Sequence, residues 1–468
     1  MDAPDRSRRS AAAWLAAVLR HSYREEGVAR SLARAPRFVR EDLLGERLRW
    51  HLLTHPVRDR LVDRAELTAT ATEGADIWYG DDQDPVTVDL PPTPEADPVR
   101  GDLPRRLASK VGTYQPARPF VREFRDARVV GPDALGFVDD RLVLETASAS
   151  EMYLAFALGD LYDRLAADRP HHRAYPLYRK ILAGDRPMPP PPEGVGDDPN
   201  GRDERNDPDG RDAGVERLET AAFFLPYWRN YYHWTVEFLP KVRLLERYRA
   251  ATGREPTVVV EADPPGWLTD TLGLAGWDPD ACVEWPETTA QVDRLVVPVH
   301  RNHYVTPRDG QFADDFNPAT GDLRWLAERM QSNVSDPAGG DFSSRIFLSR
   351  RDTKFRPVAN EDAIAETLAP LGFESYVLTD LSLADQIRLF VGADTIVAPH
   401  GAGLVNMIHA ADASVLELFP ADNVEPYYFC LARQLGFDYD WRIYPTEDEV
   451  MVVDTDDLRA AVSDVIEA

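Results

Sequence analysis

The sequence predicts an α/β protein with two parallel-sheet domains facing one another across a cleft, and three observations carry that prediction. Short runs rich in Val, Ile, Leu and Phe recur along the second half: "TVVVEA" at Thr257, "RLVVPV" at Arg294, "RIFLSR" at Arg345, "ESYVLT" at Glu374, "TIVAPH" at Thr395 and "SVLELF" at Ser414. Helical patterns over 360–371, 382–390 and 426–435 separate the later runs, and such alternation builds parallel sheets with crossover helices. The hydrophilic stretch "SDPAGGDFSS" (335–344) stands as a linker, in a chain of 468 residues that is long enough for two or three cores.

In chain order, 1–115 is expected to be a helical extension. The stretch from Arg6 to Arg60 holds about twice as many arginines as acids. A basic amphipathic helix making peripheral contact with an anionic membrane surface is one reading, and a helical extension packed on the body is the other. Residues 116–335 are expected to form the first Rossmann-like domain. It starts with small hairpins in "FVREFRDARVVG" and "RLVLET", punctuated by Gly131 and Gly136. The segment "GDRPMPPPPEGVGDDPNGRDERNDPDGRDAGV" (184–215) cannot bury a core and is expected to be a disordered acidic insertion. Residues 342–468 form the second domain, in which Ser382 and Asp385 give a capping-box start.

The formal net charge is -27, and the only lysines are Lys110, Lys180, Lys241 and Lys354. So acidic a chain repels nucleic-acid backbones, which argues against a nucleic-acid partner. The composition is similar to that of salt-in halophile proteomes, while an ordinary acidic protein from a high-GC genome also fits. Two cysteines, Cys282 and Cys430, imply neither a disulfide framework nor a cysteine metal site, and fit a reducing, cytoplasmic compartment. The apolar run 11–19 is too short to span a bilayer, so no secreted or transmembrane form is expected.

The stretch "ADTIVAPHGAGLVNMIHAA" (393–411) reads as a strand, a tight turn and a helix. In open parallel sheets ligands bind beyond the carboxyl ends of strands, which is where His400, Gly401, Ala402, Gly403 and Asn406 fall. Glycines admit a phosphate to the backbone amides, and His400 adds a donor. A purely structural turn explains two glycines as well. The neighbouring "RIFLSRRDTKFRPVANE" delivers Ser349 and Arg350 to the same edge, while Arg351 and Arg356 are expected to pair with surface carboxylates. Glu417, in "VLELFP", is placed at a strand end, where it would accept sugar hydroxyls or serve only as a structural cap.

In "NYYHWTVEFLPKVRLLERY" (230–248), His233 and Glu237 are four apart and share a helix face that Pro240 ends or kinks. An imidazole beside a carboxylate suits a general base held in one tautomer. A metal pair and a histidine bridging helix to core are the competing readings.

These motifs, in the order "DARVVG", "NYYHWTVEFLPKVRLL", "IFLSRRDTKFRPVANE", "LSLADQIRLFVGADTIVAPHGAGLVN" and "VLELFP", resemble glycosyltransferase family 61 over about 119–420. The likeness is to an acidic member of haloarchaeal type. It implies the GT-B arrangement, with the first domain on the acceptor side and the second holding a nucleotide-sugar donor. It also implies inverting, metal-independent transfer to a glycan, polyprenyl-linked sugar or protein acceptor, with no cofactor besides the donor. Carried onto this sequence, Ser349, Arg350, His400, Gly401, Ala402, Gly403, Asn406 and Glu417 match the donor motifs, with Val405 where threonine is common. His233 and Glu237 match the catalytic-side motif. A non-catalytic sugar-binding scaffold that keeps the fold is the alternative.

Overall fold

The computed structural model describes residues 60–89, 111–147, 154, 157–158, 215–286, 289–299, 320–353, 355–421, 423–447 and 450–467. The basic segment before residue 60 and nearly all of the acidic insertion lie outside them.

The first sheet is mixed. It contains β1 (Leu61–Val62) and β2 (Ile77–Tyr79), whereas β3 (Val86–Val88) and β4 (Gly112–Tyr114) pair separately. It continues with β5 (Phe120–Val130), β6 (Leu135–Val138), β7 (Arg141–Val143), β8 (Val215–Phe223), β9 (Thr257–Val260), β10 (Val283–Glu284) and β11 (Thr289–Val299). Strands β11, β8, β9 and β10 run parallel, but β5 lies antiparallel to β2, β6 and β11. The sheet is therefore part parallel and part antiparallel, the antiparallel part including the hairpins expected after Pro119. The connections explain why: β6 turns into β7 through Asp139 and Asp140, both at positive φ (48° and 58°), and so short a loop closes only antiparallel pairs. The described part of the expected helical extension holds one six-residue helix, Arg64–Ala69, beside strands that extend this sheet.

The second sheet is wholly parallel: β12 (Arg345–Ser349), β13 (Glu374–Val377), β14 (Thr395–Pro399), β15 (Ser414–Pro420) and β16 (Asp438–Tyr444). Its spatial order, β13-β12-β14-β15-β16, is the doubly wound order 2-1-3-4-5. Strands β14 and β15 are buried on both faces and therefore read as continuous apolar runs. The crossover helices fall where expected, at Glu361–Leu368, Leu383–Val391 and Tyr427–Leu435. Ser382 caps the second of these by accepting from the Asp385 amide at 3.1 Å.

Between the sheets runs an irregular helical rod. It begins with one α-turn, Tyr231–His233, widens into a π-turn over Trp234–Phe238, tightens to 3-10 over Leu239–Lys241, and resumes as α over Val242–Thr252. Pro240 has no N–H to offer the ladder and clashes with the preceding turn, so the helix deforms there instead of ending. One apolar cluster joins Val121 and Leu245 through Trp234 to Leu404, Met407 and Phe429.

Candidate functional site

In a 2-1-3-4-5 sheet the first and third strands send their chains to opposite faces, leaving a crevice at their carboxyl ends. Here those strands are β12 and β14, so Arg350 and the His400–Gly403 loop flank the crevice. They meet closely: a Cβ built on Gly401 would lie 1.7 Å from Arg350 Nη1, so only glycine leaves the guanidinium its place. Arg350 donates from Nη2 to the Phe355 carbonyl at 2.7 Å and from its amide to Glu361 at 2.9 Å. Its Nε is buried and finds no acceptor among the described residues, and the same holds for Arg356 Nε.

Burial, then the neighbouring charge of Arg356, lowers the pKa of Arg350 from its ordinary value. Arg356 itself sits at φ 51°, uncommon for a residue with a side chain and a mark of local strain. Two adjacent guanidiniums with unused buried donors have the chemistry to bind an anion. The expectation that Arg356 pairs with a surface carboxylate does not include this juxtaposition. The sequence signal was slight: a second arginine six residues after the first, just ahead of Pro357. Arg351 does pair outward, with Asp362 and Glu361.

Several expected donor contacts are corrected by what the side chains already hold. Ser349 is buried and gives its hydroxyl to Glu361, which also fixes the Arg350 amide and pins the turn. Glu417 lies inside β15, not at its end. It is fully buried, with His400 Nδ1–H on one oxygen and the Tyr439 hydroxyl on the other at 2.6 Å, so no sugar hydroxyl reaches it. Asn406 is also buried: it accepts from the Tyr231 hydroxyl at 2.7 Å and donates to Gln386 at 3.1 Å, tying the rod to the loop.

Beyond β14 the expected helix follows, as a 3-10 helix over Ala402–His409. Its first turn leaves the amides of Gly401, Ala402 and Gly403 without intrahelical acceptors. Gly403 packs on Leu378, whose Cδ1 would lie 2.6 Å from an added Cβ.

His400 is buried, stacked on Phe419 with ring centroids 5.1 Å apart, and edge-on to Tyr428 at 5.4 Å. With Nδ1 held by Glu417, Nε2 is the nitrogen left for a ligand. On the rod, Asn230 caps the turn by accepting from the His233 amide at 3.1 Å, and His233 Nδ1–H donates to Glu237. His233 is partly open and Glu237 is buried. Tyr232 packs edge-on against Tyr428 at 5.4 Å, so both histidine–glutamate pairs border one aromatic cluster. The doubled tyrosines of "NYYHW" and "EPYYFC" look like ordinary core residues, and nothing in the sequence separates them from it. Among the described residues no three His, Cys, Asp or Glu side chains gather as a metal site, and no helix is long and apolar enough to cross a membrane.

Fold and site together define an α/β protein with two neighbouring arginines at the switch point of a doubly wound sheet and an imidazole–carboxylate pair nearby. Residues 231–416 match the family model of Glycosyltransferase 61. The resemblance read from the motifs is thereby shown over that segment. Three relatives are EGF domain-specific O-linked N-acetylglucosamine transferases. That of Mus musculus is 31% identical over 117 residues, 24% of this chain and 22% of the relative. That of Pan troglodytes is 30% identical over 132 residues, 26% and 25% respectively. That of Gallus gallus is 27% identical over 117 residues, 24% and 22%. The chain thus matches a quarter or less of the length of these curated relatives.

Proposed function

We propose that the chain is an inverting glycosyltransferase that takes a sugar from a nucleotide-sugar donor and passes it to a hydroxyl of a glycan, a polyprenyl-linked sugar or a protein, without a metal. The observation that carries this reading is the apposition of Arg350 and Arg356 at the switch point, each with a buried Nε–H left unused by the described residues. A diphosphate supplies two adjacent negative charges, and preorganised guanidiniums stabilise the charge that grows as it departs. The amides of Gly401–Gly403 and His400 Nε2 add donors around it.

The acceptor hydroxyl gives its proton to His233 Nε2 while its oxygen attacks the anomeric carbon. The bond from that carbon to the diphosphate oxygen breaks on the opposite face, so one displacement inverts the centre. Glu237 holds the imidazole in the required tautomer and balances the imidazolium that forms. The name of the relatives makes N-acetylglucosamine one sugar to test.

Calorimetry with a panel of nucleotide sugars, in molar salt with and without EDTA, tests the reading. Binding should survive EDTA and weaken by about 10- to 100-fold in Arg350→Ala and Arg356→Ala, each of which removes charge-assisted hydrogen bonds. His233→Gln should keep donor affinity and lose turnover. If no nucleotide sugar binds, the scaffold alternative takes its place.

A further inference from the structure

A chain gains little in folding from a large aromatic ring left in water, and Phe355 is 79% exposed. It is the most exposed large hydrophobic side chain among the described residues. Trp228, next at 46%, still packs edge-on against Tyr227, whereas the Phe355 ring has no aromatic or cation partner among the described residues. Single apolar side chains are ordinary on a protein surface, so exposure alone assigns no role. The backbone beneath this one does.

That backbone is held by the first of the two neighbouring arginines. The Phe355 carbonyl accepts from Arg350 Nη2 at 2.7 Å, which puts the Phe355 Cα within about 5 Å of the guanidinium. The Phe355 amide donates to Thr353 Oγ1 at 3.2 Å, and the Thr353 amide donates to the Arg350 carbonyl at 3.2 Å, closing a turn. On the other side stands Arg356, at φ 51°, followed by Pro357 with its fixed backbone angle. The chain therefore accepts local strain to set an unburied ring beside two guanidiniums, and strain of this kind gathers at ligand clamps.

We propose that Phe355 is the platform on which the base of a nucleoside diphosphate stacks. The proposal rests on the reading of Arg350 and Arg356 as the diphosphate site, and adds to it the part of the ligand that carries no charge. A nucleoside 5′-diphosphate joins a doubly charged end to a flat π-system through one ribose. An arginine pair with an open ring one residue away presents the matching chemistry in the same order. Stacking covers an apolar face that folding leaves wet, and every base offers a π-face. The platform therefore recognises nucleotides as a class and leaves the choice among bases to other groups.

Calorimetry on the full chain at one salt concentration tests the proposal, with UDP, GDP and inorganic pyrophosphate as probes. Where pyrophosphate binds too weakly for direct titration, its displacement of the nucleotide is measured. Phe355→Ala should weaken UDP and GDP by about 5- to 150-fold, the range for one base stacked on an aromatic ring. Pyrophosphate affinity should stay at its native value, because the variant keeps the backbone carbonyl that holds Arg350. The melting temperature should also stay, since so exposed a ring adds little to folding. Phe355→Tyr should bind both nucleotides as the native chain does.

Unchanged nucleotide affinity in Phe355→Ala overturns the proposal and leaves the diphosphate site standing. An equal loss for pyrophosphate overturns it too, since the ring would then act only through the seat of Arg350. If none of the three probes binds the native chain, the diphosphate reading falls and the platform with it.

Discussion

His400 and His233 both turn Nδ1 toward a glutamate, yet their surroundings differ sharply. Glu417 sits in β15, between β14 and β16, with both oxygens occupied, and His400 is clamped between Phe419 and Tyr428. Glu237 sits on a widened π-turn, its histidine partly open and a lysine behind it. The first pair is enclosed and fixed, which suits the proposed donor to a diphosphate. The second leaves its histidine partly open, which suits the proposed base. Hydrogen-bond chemistry alone does not separate them; packing does.

The contrast between the two pairs is most exposed to Glu417→Ala, which strips partners from a buried imidazole and a buried phenol at once. It should cost about 3–5 kcal/mol in urea unfolding, and a loss under about 1 kcal/mol would mean the pair is not structural. Glu237→Gln should unfold at nearly the native urea concentration while turnover in the proposed reaction falls by about 10²- to 10⁴-fold, because the proposed base His233 loses the carboxylate that fixes its tautomer. Equal damage to folding in both variants would erase the distinction.

Lys241 provides a pH test on the same rod. Its folded pKa, about 8, lies below the unfolded value of 10.5, so the unfolded chain binds more protons between them and stability rises with pH across that window. The rise should be on the order of 1–3 kcal/mol and absent in Lys241→Met, measured by denaturation at pH 8 and pH 10.

Gly401→Ala should leave the melting temperature nearly unchanged, because the atom in the way is the end of a flexible arginine. It should weaken anion binding by about tenfold as that guanidinium is displaced. Smallest of all, Tyr231→Phe removes the bond to Asn406 and should cost about 1 kcal/mol in a double-mutant cycle with Asn406→Leu.

Much of the second sheet was legible in the sequence. Its inner strands are buried on both faces and cannot help reading as apolar runs, and the Ser382 cap is a local signal that needs no tertiary context. The strands β8, "VERLETAAF", and β16, "DYDWRIY", alternate too many charges to stand out. The hairpins after Pro119 were legible from their strand patterns and Gly131 and Gly136, whereas the antiparallel pairing of β5 with β11, far along the chain, leaves no local signal.

In the site, the pairing of His233 with Glu237 was implied by their spacing. The burial of Glu417 was not legible: its motif puts it at a strand end, and only the central position of β15 between two partner strands shows that it has no solvent on either face. Arg356 was not legible, because its role depends on a backbone angle and on a second guanidinium brought beside it by the turn.

The bare backbone at position 401 also bears on the neighbouring charge. Any mutation that gives this residue a side chain pushes the Arg350 guanidinium out of its seat. That one position therefore couples backbone to charge: a side chain there is tolerated by the fold but moves the guanidinium, so the glycine matters to the place of Arg350 more than to the stability of the sheet.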